Sequence, residues 1–228
     1  MAAFREAIAV GADGIEFDVR LTRDGVPVII HDNSLRRTAG LPHRISDLTW
    51  SELQRFDETV PSLEQLLTLF ASNDLLMYLE IKVDSPTERQ SLAAASCSLV
   101  DQFAVKERVF VGCFDLSALK VVKSIDPEIK TAAAFEPSIS TVPTLSDNRI
   151  LERAAAAEAS ALALHHRLAR PRLVEKAKDA GLWVVVWTVD DPSWVERGRG
   201  LGIDALITND PERLLTQRRQ VAKTDAEI

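Results

Sequence analysis

Cysteine is nearly missing from this sequence: Cys97 and Cys113 are the only two in 228 residues. Without a Cys-x-x-Cys spacing they build neither a disulfide framework nor a thiolate zinc site, and a reducing compartment is the simpler setting. Basic charge is also short, with 27 Lys and Arg against 34 Asp and Glu for a net charge of -7. An acidic surface attracts neither nucleic acid nor an acidic membrane face, so neither is expected as a partner. The strongly apolar runs are short, Leu182 to Trp187 among the longest, so no membrane span is expected. Met1 leads into an amphipathic segment with Arg5 and Glu6 instead of a basic stub and an apolar run, so no signal peptide is read. No linker, low-complexity tract or charge block divides the chain. The expectation is a cytoplasmic protein with a single domain over 1–217 and a polar, frayed tail over 218–228. A chain of this length should bury roughly 70–75% of its unfolded surface, enough for a core without staples.

What is present is a rhythm. Strand patterns recur at Gly14–Leu21, Pro27–His31, Leu75–Lys82, Arg108–Cys113, Ile129–Ala134, Ala161–His165, Trp183–Val189 and Asp204–Thr208. Helical patterns separate most of them. Phe4, Ala7 and Ile8 share one helical face that Gly11 stops. Leu116, Leu119 and Val122 form a stripe after a cap at Asp115, and Leu173, Val174 and Ala177 form another between Pro171 and Gly181. Asp191-Pro192 and Asn209-Asp210-Pro211 repeat one device: a strand ends, an acid caps, and proline opens a helix.

Strand, cap and helix recurring in this way predict a parallel α/β architecture. The late strands are continuously apolar, as expected where helices cover both faces. No Gly-rich fingerprint follows any strand, which removes the usual reason to prefer a dinucleotide fold. The regularity points to a (β/α)8 barrel. From Asp32 to Leu66 the rhythm breaks into a long, turn-rich stretch, read as an excursion from the barrel top after the second strand.

The chemistry concentrates in Gly14-Ile-Glu-Phe-Asp-Val-Arg-Leu-Thr-Arg-Asp-Gly-Val-Pro-Val-Ile-Ile-His-Asp32. Glu16 and Asp18 are two apart, so on a strand both carboxylates point to one side. A second strand returns His31 beside them. Leu79-Glu-Ile-Lys82 places Glu80 and Lys82 on one face of another strand. Three converging carboxylates repel one another and lose solvation, and a divalent cation relieves both costs. Oxygen-only ligation suits Mg²⁺ or Ca²⁺. Such a cation beside Lys82 fits phosphoryl chemistry, with His31 as a proton-transfer group. Taken singly, each acid reads as a solvated strand residue. Trp187 is read either as the wall of an apolar pocket or as core packing, and His165 and His166 as strand-end residues.

The segment Gly11 to Asp32 resembles the core motif of the glycerophosphodiester phosphodiesterases. Further pieces match in order: Leu35-Arg-Arg-Thr38, Ile45-Ser-Asp-Leu48, Val60-Pro-Ser-Leu63, Leu79-Glu-Ile-Lys82, Val186-Trp-Thr-Val189 and Gly202 to Pro211. The resemblance implies a triosephosphate isomerase-type barrel that hydrolyses glycerophosphodiesters to glycerol 3-phosphate and an alcohol with Mg²⁺ or Ca²⁺. By it, Glu16, Asp18 and Glu80 match metal ligands, His31 matches one of two catalytic histidines, and Lys82 matches a contact to the substrate phosphate. In the mechanism it implies, a glycerol hydroxyl attacks phosphorus and water then opens the cyclic phosphate.

The family pattern opens with a strand bearing His-Arg-Gly and then Pro-Glu-Asn-Thr, ahead of the helix that Met1–Val10 matches. The expectation is therefore a barrel lacking its first strand and one proton carrier, with reduced activity. The alternative is an inactive barrel that binds metal or phosphodiester. A sphingomyelinase-type phospholipase suits a secreted, cysteine-richer chain. The sequence leaves the leaving alcohol and the oligomeric state open.

Overall fold

The computed structural model describes residues 1–137 and 145–226. The chain forms two compact units, one of residues 1–2 and 14–131, the other of residues 3–13 and 132–228. Helix α1 (Ala2–Val10) belongs to the second unit from Ala3 onward. It ends where Gly11 turns left-handed at φ 84°. Phe4 and Ala7 of its expected apolar face are half-buried, while Ile8 is exposed.

The first unit holds β1 (Gly14–Leu21), β2 (Pro27–Ile29), α2 (Trp50–Phe56), α3 (Leu63–Phe70), β3 (Leu76–Ile81), α4 (Arg89–Gln102), β4 (Val109–Cys113) and α5 (Leu116–Ile125). Its strands run in the order β2-β1-β3-β4, with β1, β3 and β4 parallel. Alternation on β1 buries Ile15, Phe17 and Val19 on one face and leaves Glu16, Asp18 and Arg20 half-buried on the other. The expected strand Pro27–His31 is shorter and antiparallel to β1. The reason is the tight connection at Asp24-Gly25, where Gly25 adopts φ 83° and Thr22 and Val26 close the turn through backbone bonds. A connection this short can only make a hairpin.

The turn-rich stretch that begins at Asp32 encloses an apolar cluster. Leu35, Ile45, Leu48, Leu53 and Val60 are buried with Val28 and Ile30 in one cluster. Helix α2 is started by a capping box, with Thr49 accepting from the Glu52 backbone and Glu52 accepting from the Thr49 backbone. The predicted Asp115 cap of α5 is formed, its side chain accepting from the Ser117 N–H.

The second unit adds β5 (Lys130–Phe135), which enters it at Ala132, then α6 (Asp147–Ala156), β6 (Ala161–His165), α7 (Pro171–Asp179), β7 (Trp183–Trp187), α8 (Ser193–Leu201), β8 (Ala205–Leu206) and α9 (Pro211–Ala226). Strands β5 to β8 pair in order, all parallel. Leu173, Val174 and Ala177 are the buried stripe of α7, as their spacing predicts. Asp191 accepts from the Ser193 N–H, and Asp210 from the Arg213 N–H, which places both acids at the helix starts read from the sequence.

The stretch from Arg218, expected to fray, is helical as far as Ala226, and an Arg218–Asp13 ion pair at 2.6 Å ties its start to the residues after α1. The last two residues of the expected tail lie outside the described residues. Among the described residues no helix is long and apolar enough to cross a membrane.

Candidate active site

Strands β1 and β3 bring the acids together by register. Asp18 lies opposite Glu80, and Glu16 opposite Tyr78. In a parallel pair, opposed residues share a face, so Glu16, Asp18 and Glu80 converge with Tyr78 and Lys82 on the same side. One carboxylate oxygen from each of the three acids lies within 4.8 Å of the other two. The spacing argument for Glu16 and Asp18 therefore holds in three dimensions, and Glu80 joins them from a strand some sixty residues on.

Burial sets the electrostatics. Glu80 is only 8% exposed. Burial, and then the neighbouring charges of Asp18 and Glu80, push the Glu16 carboxyl up to about 8. Burial also raises Glu80, with the Lys82 ammonium opposing the rise. Lys82 contacts Glu80 and lies 3.0 Å from Asp18. Burial alone would depress its ammonium, but the charges of Glu80 and Asp18 outweigh that and hold it above the ordinary lysine value. At neutral pH the cluster thus keeps one cation, with Glu16 largely protonated. A divalent ion suits this donor set: hard oxygen ligands, preassembled, partly desolvated and short of positive charge.

His31 sits just past β2. Its Nδ1 lies 2.9 Å from Asp32 Oδ1, and Arg37 Nε donates to the other Asp32 oxygen at 2.6 Å. These two bonds hold the Asp32 carboxyl below its ordinary value. An acceptor at Nδ1 fixes the tautomer with Nδ1–H, which leaves Nε2 to exchange a proton. The ring is 67% exposed and close enough for its charge to act on Glu80.

The sequence reading missed Arg20, which holds the His31 backbone in place. Its Nε and Nη2 donate to the His31 carbonyl at 2.9 and 2.7 Å, and its Nη1 pairs with Asp84 at 2.7 Å. The signal was available, since Arg20 continues the two-residue spacing of Glu16 and Asp18. Arg20, His31, Ser34 and Arg36 line an open concavity in the first unit.

Trp187 lies in the second unit at the end of β7, edge-on to His165 with ring centroids 5.2 Å apart. The His165 ring lies tilted against His166 with centroids 4.1 Å apart, and burial, then the His166 charge, lowers its imidazole. His166 Nδ1 lies 3.1 Å from the Thr188 carbonyl.

Comparison with known proteins places this geometry in context. The model of the glycerophosphoryl diester phosphodiesterase family matches residues 1–213. A glycerophosphodiester phosphodiesterase of Caldanaerobacter subterraneus subsp. tengcongensis is 32% identical, over 96% of this chain and 91% of that protein. A solved glycerophosphodiester phosphodiesterase from Parabacteroides distasonis superposes with a TM-score of 0.80 at 26% identity, covering 96% of this chain and 89% of that one. A phosphodiesterase from Oleispira antarctica, solved with the product sn-glycerol-3-phosphate, gives a TM-score of 0.82 at 24% identity over 95% and 89% of the two chains. The family's structures are TIM-type barrels, so the mixed α/β class read from the strand–helix rhythm stands. With a family model spanning nearly its whole length, this chain belongs to the glycerophosphoryl diester phosphodiesterases.

Proposed function

We propose that this phosphodiesterase hydrolyses glycerophosphodiesters to glycerol 3-phosphate and an alcohol with the help of a divalent cation, Mg²⁺ or Ca²⁺, held by Glu16, Asp18 and Glu80. The observation that carries the reading is the approach of three carboxylate oxygens to within 4.8 Å of one another on one sheet face. The bound cation would polarise a phosphoryl oxygen and offset the charge gathering on phosphorus.

The chain's own residues do the rest. Lys82 stays protonated beside Asp18 and Glu80, so its ammonium is available to a phosphate oxygen. His31, with Nδ1 engaged by Asp32, uses Nε2 to take the proton of the attacking glycerol hydroxyl or to return one to the leaving alcohol. Asp32 and Arg20 keep the ring and the backbone of His31 in position. For Trp187 a substrate contact is proposed on the resemblance of Val186-Trp-Thr-Val189 to a family segment. The proposed fold is a single barrel domain over 1–217, with β1 standing where the family's second strand stands and residues 32–66 as an excursion. A reducing, cytoplasmic setting accords with Cys97 and Cys113, both free thiols.

The test is hydrolysis of glycerophosphocholine with and without chelator. Loss of activity in chelator, restored by Mg²⁺ or Ca²⁺ and absent in Glu16→Ala, supports the reading. Activity indifferent to both overturns it. A chain that binds the cation but does not hydrolyse the diester would favour the binding-only alternative.

A further inference from the structure

Tyr78 is the only tyrosine in the chain, and its hydroxyl is buried without a hydrogen-bond partner among the described residues. Buried hydroxyls are almost always satisfied, so an orphan of this kind marks a group whose partner arrives with something else. Three observations place it at the acid cluster. Tyr78 is the register partner of Glu16 and shares its strand face with Glu80 and Lys82. A Cβ at Gly112 would collide with its hydroxyl and ring. Gly112 is in turn the register partner of Glu80.

The ring therefore leans along β3 towards the layer of Asp18, Glu80 and Gly112. Two residues of strand rise about 6.6 Å, which is close to the reach of a tyrosine hydroxyl from its backbone. The space for this is created by the missing side chain at position 112. A phenolic hydroxyl carries its proton at neutral pH, so the group can donate.

We propose that Tyr78 is a positioning residue for the carboxylate trio: its hydroxyl donates to a trio oxygen, Glu80 first, when the site takes up a divalent cation. Carboxylates that ligate a metal need a second hydrogen bond to fix their orientation, and such partners commonly matter 10–100-fold in affinity. Here Lys82 serves Asp18 and Glu80 from one side, and Tyr78 is the donor on the other. No covalent step is involved. The inference rests on the cation-site reading above, and its test separates the two.

The experiment uses the whole chain labelled with tyrosine carrying ¹³C at Cζ, which gives a single resonance because there is one tyrosine. Mg²⁺ or Ca²⁺ is titrated in while binding is followed in parallel by calorimetry. The expected result is a downfield shift of the Cζ resonance that saturates with the calorimetric affinity. Tyr78→Phe should bind the cation roughly 10–100-fold more weakly while circular dichroism stays unchanged. Saturable binding with a motionless resonance, or a Tyr78→Phe variant that binds as tightly as the parent, overturns the role of Tyr78 and leaves the cation site standing. No binding by the parent chain overturns both. If Tyr78→Phe does not fold, the parent's resonance decides alone.

Discussion

Asp18 and Glu80 face each other across the β1–β3 pair, and the Lys82 ammonium joins them, 3.0 Å from Asp18. All three side chains are largely buried, with 16%, 11% and 18% exposure. Removing the cationic member while leaving two buried acids is the costly way to break such a group. Lys82→Met should therefore destabilise the cation-free protein by about 3–5 kcal/mol. A divalent ion supplies the missing charge, so the variant should regain more thermal stability from Mg²⁺ or Ca²⁺ than the parent does. Melting curves with chelator and with each cation check this. An equal cation-induced gain in both proteins would show that Lys82 is not the trio's counter-charge.

Glu16 makes a pH prediction with a definite sign. Its carboxyl stands at about 8 in the fold against 4.5 ordinarily, because of burial first and the Asp18 and Glu80 charges second. Between those values the folded chain binds more protons than the unfolded chain, so in chelator this residue costs stability as pH rises from 4.5 to 8. Below that window it costs nothing, and above it the cost is constant. Glu16→Gln abolishes the ionisation. Its stability in chelator should exceed the parent's by a margin that widens across the window to a few kcal/mol, on the order set by a shift of this size. The difference between the two melting profiles is the measurement, since shared carboxylates cancel. With a cation present, the order should reverse, because Gln is a poorer ligand.

How much of this was readable beforehand follows from the range of the interactions. Asp115, Pro171, Asp191 and Asp210 act within a few residues, and each starts a helix where its type predicts. The two-residue spacing of Glu16 and Asp18 is equally local. That Glu80 joins them depends on the β1–β3 register, a long-range fact; the strand-face reading and the family resemblance both put Glu80 with the other acids, but neither supplied that register. The antiparallel sense of β2 is implicit in Asp24-Gly25, a turn too short for the crossover that a strand–helix rhythm predicts. The cluster beneath residues 32–62 was hidden because Leu35, Ile45, Leu48 and Val60 follow no helical or strand period. Tyr78 and Gly112 are complementary in shape across two strands, and no one-dimensional pattern carries shape.

His31 and Asp32 should separate chemistry from positioning. His31→Ala removes the proton carrier, and a loss of about 10²–10⁴-fold in kcat is expected with little change in cation affinity. Asp32→Asn keeps the imidazole but replaces the acceptor at Nδ1 with an amide that can present its nitrogen instead. It should lower kcat less than His31→Ala, because the ring remains but its Nδ1–H loses the carboxylate that fixes the tautomer. Steady-state kinetics of the three proteins decide. A kcat for Asp32→Asn equal to the parent's would detach Asp32 from the chemistry of His31.

Gly112→Ala tests the fit that brings Tyr78 into the layer of the acids. The added Cβ would lie 2.2 Å from the Tyr78 hydroxyl oxygen and 2.3 Å from Cζ, and Tyr78 is buried, so the ring must leave its place. Overpacking of this kind typically costs about 1–3 kcal/mol. Tyr78→Phe should not relieve it, because the ring atoms remain in the way. Tyr78→Leu should relieve it in part, although alone it leaves a cavity and is itself destabilising. The double variant Gly112→Ala/Tyr78→Leu is therefore expected to be more stable than the sum of its single changes. A coupling of about 0.5–3 kcal/mol, read from denaturant midpoints, is the size usual for residues in contact. Strict additivity would mean that the ring does not rest on Gly112, and with it would go the path by which the only tyrosine reaches Glu80.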